Sequence, residues 1–310
     1  MKKLLIGLVL LCSVVAGTFY LYPASLLSTL QFTQRQMAGL SAKQVEVGDA
    51  TIHYLEGGPS AAGTVLLVHG FGADKDSWLP FVRELAGHYR VIALDLPGFG
   101  ESSKNADAAY DVGAQTERLA AFIQQLGISK PNIVGSSMGG WIAALYAARY
   151  PDRVGSVALF DNAGITSPKP SELQLMLERG EANPLVVNSP EDFDRLMAMI
   201  FVKTPQVPAP IKQLVVEKAM ASHDFNQKIF AQLLEHYIPL EPELANIQVP
   251  VLLLWGAQDK LTDVSSIEVM QPLLKQPSVV LIEDCGHAPM VERPAETARY
   301  YEAFLDSFKG

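Results

Sequence analysis

The hexapeptide Gly135-Ser136-Ser137-Met138-Gly139-Gly140 sets two serines between glycines, after the apolar run Asn132-Ile133-Val134 and ahead of a helical stretch. Strand, tight turn and helix in that order form a nucleophile elbow, which holds a hydroxyl out on a strained turn where it can attack a carbonyl carbon. The strain imposes a steric condition. Residues two before and two after the nucleophile must be small, because the turn presses them together. Ser137 meets this condition with Gly135 and Gly139, whereas Ser136 would place Val134 and Met138 there. Ser137 is therefore the candidate nucleophile. The following helix carries Gly140, Ala143, Ala144, Ala147 and Ala148, a small face that can press close to a sheet.

A serine hydroxyl needs a base, and the base needs an orienting acid. His287 lies in EDCGHAPMVERP, on the loop after the last strand candidate, where it can reach across to the elbow. His53, His88, His223 and His236 sit in polar or helical contexts and read as surface or packing residues. For the acid, Asp259 stands four residues past Trp255, at the C-terminal end of the penultimate strand candidate. This gives the chain order serine, acid, histidine. Asp161, which ends the strand after the elbow helix, is the main rival, with Glu283 and Asp284 behind it. Charge developing on the attacked carbonyl oxygen calls for two backbone N–H donors. Met138 supplies one. Phe71 in LLVHGFGADKDSW supplies the other, with His69-Gly70 turning the chain and Gly72 following. The side chain of Phe71 should then matter less than distortion at Gly70 or Gly72. No metal or organic cofactor is called for, and no Cys/His metal spacing is present.

These residues must be positioned by the elements around them. Short apolar runs at Val45–Val47, Thr51–Leu55, Thr64–His69, Arg90–Asp95, Asn132–Gly135, Val154–Asp161, Val249–Trp255 and Ser278–Ile282 read as strands. The later runs are continuously apolar, as expected of strands buried on both faces of a parallel sheet. Helical patterns lie at Trp78–Leu85, Ala114–Leu126, Met138–Tyr150, Ser265–Leu274 and Pro294–Phe308. The alternation predicts an α/β fold with a mostly parallel central sheet and helices on both faces, its core formed by residues 41–165 and 247–310. Residues 166–246 break the alternation. They are helical in pattern and rich in proline, and they read as an inserted cap.

At the N-terminus, Lys2 and Lys3 precede nineteen uncharged residues from Leu4 to Tyr22. At 1.5 Å per residue this run reaches ~28 Å, close to the bilayer core. Phe19, Tyr20 and Tyr22 cluster where an interfacial aromatic belt would sit. Residues 1–23 therefore read as a transmembrane anchor, with a cleaved signal peptide ending near Ala16 as the rival. The two lysines hold the N-terminus in the cytoplasm and put the remainder of the chain on the periplasmic side. Residues 24–40 place Leu26, Leu27, Leu30, Met37 and Leu40 at helical spacing, an amphipathic juxtamembrane helix. Ser13 and Gly17 fit a small-xxx-small pattern that could pair two copies through the N-terminal helix. The formal net charge of −9, without a lysine or arginine cluster, argues against nucleic acid as a partner. Cys12 and Cys285 form no disulfide framework.

HGFG (69–72), DLPGFGES (95–102), GSSMGG, WGAQD (255–259) and GHAPMVERP (286–294) stand in the order found in the α/β-hydrolase superfamily, which the chain resembles over about 250 residues. Serine at 137 separates it from relatives that use an aspartate nucleophile. HGFGADKDSW, GSSMGG and the single N-terminal span look like the bacterial lipase and esterase group that includes membrane-anchored phospholipases A of the PlaF type. The resemblance implies a helical lid, hydrolysis of acyl esters near a bilayer, and a lipid or other long-chain acyl ester as substrate. On that reading the cap residues Leu173, Leu175, Met176, Leu177, Leu196, Met197, Met199, Ile200 and Phe201 supply an apolar acyl site or pack the cap on the core. Short-chain esterases, perhydrolases and carbon–carbon hydrolases share the same triad, and a non-catalytic binding protein on this fold is the reading from another class.

Overall fold

The computed structural model describes residues 22–60, 63–85 and 87–308. Most of the expected anchor, residues 1–21, lies outside them. Among the described residues no helix is long and apolar enough to cross a membrane. The chain opens with helix α1 (Pro23–Met37), which leads into strands β1 (Leu40–Val47) and β2 (Ala50–Gly57). β3 (Thr64–Val68), a 3-10 turn at Lys75–Trp78, α2 (Leu79–Glu84), β4 (Arg90–Leu94) and α3 (Val112–Gln125) follow. Next come β5 (Asn132–Ser136), α4 (Met138–Arg149) and β6 (Ser156–Phe160). Four helices then intervene: α5 (Glu172–Glu178), α6 (Pro190–Ile200), α7 (Ala209–Ala221) and α8 (His223–Glu235). The chain closes with β7 (Val251–Gly256), α9 (Ser266–Met270), β8 (Pro277–Ile282), α10 (Pro289–Glu292) and α11 (Pro294–Asp306).

The eight strands among the described residues join one sheet in the order β1-β2-β4-β3-β5-β6-β7-β8. β1, β2 and β4 pair antiparallel, and every pairing from β4 through β8 is parallel. The C-terminal ends of β3, β5, β6, β7 and β8 thus open onto one edge, where an open α/β sheet binds its ligands. The predicted candidates His69, Ser137, Asp161, Asp259 and His287 all fall just past those ends. One core cluster packs each face of the sheet. The first is built around α3 and α4 and the second around α2 and α11. α4 lies deepest, and its glycine and alanine face is fully buried.

The structure departs from the sequence reading in three places. The predicted helix over 24–40 stops at Met37, because Gly39 takes φ +67° and Leu40 already begins β1, where its side chain is buried. Met37 and Leu30 are exposed, so the buried side of α1 is narrower than the spacing implied. It packs on α7, on β1 and on α2. β7 is buried throughout, as expected, but β8 is the sheet's edge strand and leaves Val279 and Leu281 exposed. A continuous apolar run therefore identified the strand but not its place in the sheet.

Candidate active site

Ser137 sits between β5 and α4 at φ +56° and ψ −122°, a conformation that costs a non-glycine residue about 1–3 kcal/mol. The turn is held by its neighbours. Ser137 N–H donates to the Phe160 carbonyl on β6 at 3.0 Å, and its own carbonyl accepts from Trp141 N–H and Ala163 N–H, both at 3.1 Å. A Cβ on Gly135 would fall on the Gly139 carbonyl, and one on Gly139 would fall on the carbonyl of Val68 in β3. The two glycines thus have the close approach on which the choice of Ser137 over Ser136 was argued.

His287 and Asp259 meet directly. His287 Nδ1 lies 2.8 Å from Asp259 Oδ2, and both side chains are buried. The Leu261 N–H (2.7 Å) and Thr262 N–H (3.1 Å) donate to Asp259 Oδ1, and Thr262 Oγ1 lies 2.7 Å from Oδ2. Burial alone would raise the Asp259 pKa, but His287 and these donors outweigh it and hold the carboxyl below the usual aspartate range. Of the rival acids, only Asp161 lies at the site, beside Asp259. Glu283 and Asp284 are exposed, and Asp161 has its Oδ1 on the Gly256 N–H at 2.8 Å. The His287 loop is itself pinned to the helical segment: its N–H donates to the Ile200 carbonyl at the end of α6 at 2.7 Å.

The loop after β3 approaches Ser137 from the other side. A Cβ on Gly70 would lie 3.0 Å from the Ser137 Cβ, so Gly70 lets this loop come against the elbow. His69 is fully buried behind it. Leu96 N–H donates to its Nε2 at 3.0 Å, which leaves the hydrogen on Nδ1 to donate to the Gly70 carbonyl at 2.7 Å. Burial pushes the His69 pKa down, consistent with a neutral ring fastening the turn. Met138 opens α4, so its N–H has no intrahelical acceptor and is free for a ligand. Lys75 lies buried beneath the loop, its Nζ 2.8 Å from Asp95 Oδ2 and 2.7 Å from Glu101 Oε2. Burial would lower its pKa, but Asp95 and Glu101 carry it above the ordinary lysine value.

Ser137, His287, Phe71 and Met138 line one cavity of about 390 Å³ whose walls are mostly apolar. Of the nine cap residues offered for an acyl site, Leu173 and Leu177 line it. Met176 and Met199 are buried in a small cluster with Leu261, and Leu175 is exposed. The rest of the apolar wall includes Leu185, then Phe230, Leu233 and Leu234 of α8 with Tyr237 just past it, and Trp141, Ile165, Leu261 and Met290 from the core side. Sequence reasoning did not pick these out, because an apolar helix face reads the same whether it meets a core or a cavity. Among the described residues, His53, His88, His223 and His236 do not line the cavity. Sequence reasoning also passed over Lys75 and Glu292. Glu292 accepts from the Gly286 N–H (2.8 Å) and from the Lys203 N–H beyond α6 (2.6 Å), joining the His287 loop to the helical segment. The only signal for it was its place in GHAPMVERP.

The family model described as alpha/beta hydrolase fold matches residues 63–196 and 213–294. The chain is similar to the crystal structure of a membrane phospholipase A, with 57% identity, 99% of each chain covered and a TM-score of 0.91. Lipase 1 of Psychrobacter immobilis is 35% identical over 87% of this chain and 86% of its own length. A monoacylglycerol lipase of Xenopus laevis is 30% identical over 94% of this chain and 90% of its own length.

Proposed function

The chain belongs to the α/β-hydrolase family, and from that premise we propose that it is a serine carboxylester hydrolase acting on lipid acyl esters, with Ser137 as nucleophile. One observation carries the reading: Ser137 and His287, the latter held from behind by Asp259, line a single cavity with mostly apolar walls. Ser137 Oγ attacks the ester carbonyl while His287 takes its proton, and the Phe71 and Met138 N–H groups receive the developing oxyanion. The alcohol leaves with the proton from His287, giving an acyl-enzyme. Water, activated by His287, then releases the fatty acid and restores the serine. The acyl chain lies against Leu173, Leu177, Phe230, Leu233 and Leu234.

The lipid substrate is supported by the phospholipase and lipase relatives and by this apolar wall. The span at residues 1–23 fixes the enzyme in the cytoplasmic membrane with its catalytic domain on the periplasmic side, and Ser13 and Gly17 allow two such spans to pair. Residues 166–246 act as the lid. Product analysis of the purified protein and its Ser137→Ala variant tests the assignment on phospholipids, triacylglycerol and p-nitrophenyl esters of graded chain length. Fatty acid release from long-chain lipid should fall by about 10⁴-fold or more in the variant. Turnover of short esters alone would make it a short-chain esterase. Absence of labelling at Ser137 by a fluorophosphonate would make it a binding protein.

A further inference from the structure

Asp161 follows β6 at the active-site edge of the sheet, and the hydrolytic cycle leaves it without a task. It is fully buried and takes φ +47°. One of its carboxyl oxygens, one of Asp259 and a ring nitrogen of His287 all lie within 4.8 Å of one another. The two carboxyl groups are served unequally. Asp259 has His287 Nδ1, two backbone N–H groups and the Thr262 hydroxyl around it. Asp161 has one donor, the Gly256 N–H on Oδ1, and its Oδ2 is buried without a hydrogen-bond partner among the described residues. Two carboxylates this close in a dry site repel each other, and the one with fewer donors takes the proton. A proton on Asp161 removes the repulsion and turns the orphan oxygen into a donor facing an anion.

We propose that Asp161 is protonated in the resting enzyme and is a positioning residue, anchored by Gly256 and directing its O–H at Asp259 so that this carboxylate stays aligned with His287. Burial first, and then the neighbouring Asp259, push the Asp161 pKa well above the aspartate range. Glu292 of α10 also disfavours a negative charge there, and the nearby Cys285 thiol is held neutral chiefly by burial.

The proposal rests on Asp259 and His287 being the acid and base. The test therefore includes Asp259→Asn, using the full chain in detergent and a soluble p-nitrophenyl ester. Asp161→Asn, a neutral isostere, should keep kcat/KM within about threefold of the parent and leave the acid limb of the pH profile in place. Asp161→Ala removes the donor and leaves Asp259 more basic. It should lower kcat by about tenfold at unchanged KM and move the acid limb to higher pH. An acid limb in Asp161→Asn displaced by about a unit or more to lower pH would mean that an anion had been removed, and would overturn the proposal. Failure of that isostere to fold, read from its melting transition, or parental behaviour of Asp161→Ala would overturn it as well. Asp259→Asn should lose about 10⁴-fold in kcat. If it does not, the acid assignment has failed and not the protonation of Asp161.

Discussion

At the scale of single residues, the loop that brings Phe71 to Ser137 separates backbone from side-chain roles. Phe71 packs its ring edge-on against Phe99 and Phe230, at centroid distances of 5.6 and 5.8 Å, so its side chain is a wall of the cavity. Its proposed catalytic part is the N–H alone. Phe71→Ala should therefore cost less than about tenfold in kcat, while Gly70→Ala, whose new methyl presses on Ser137, should cost about 10²–10³-fold, the value of one oxyanion donor. Steady-state kinetics on a short p-nitrophenyl ester, where acyl-chain packing matters least, distinguishes the two. Equal losses would mean that the ring and not the amide sets the geometry.

At the scale of elements, α1 is fastened to the loop that carries Phe71. Arg35 Nε and an Arg35 terminal nitrogen donate to the two Asp76 oxygens at 2.6 and 2.5 Å, and both side chains are mostly buried. A bidentate pair of this kind, partly shielded from water, should show a coupling of about 1–3 kcal/mol in a double-mutant cycle of Arg35→Ala and Asp76→Ala followed by urea unfolding. A coupling near zero would make α1 an independent appendage. This contact was not legible in the sequence, because it joins positions 41 residues apart whose local patterns say only that each is polar. The strands and the elbow were legible, since both rest on local rules: apolar runs between turn residues, and a steric need for glycine at 135 and 139. The acid was placed at 259, ahead of Asp161, from its strand end and its position between the serine and the histidine, and Asp259 is the carboxylate that meets His287 Nδ1. The cavity wall at the end of α8 was hidden for the same reason as Arg35–Asp76, since it depends on how the helices between β6 and β7 fold back over the sheet.

For the molecule as a whole, the parts proposed for chemistry and the part proposed for membrane attachment occupy different stretches of chain. The triad candidates and the cavity lie within residues 70–290, whereas the apolar run ends at Tyr22. A chain lacking residues 1–22 but keeping α1 should retain Ser137-dependent hydrolysis of a soluble short ester and leave the membrane fraction. Fractionation followed by esterase assay reads both at once. Loss of activity together with release would show that the span also shapes the catalytic domain. The Ile200 carbonyl on the His287 N–H, with Glu292 bridging Gly286 and Lys203, has a consequence for how a lid could work. Of the helices between β6 and β7, α6 is riveted to the very loop that bears the base, so it cannot swing without unseating His287. A lid built from this segment would then have α6 as its fixed jamb, and α8 is held as well, by Ile229 buried in the core and by Gln232, which accepts from the Tyr110 N–H.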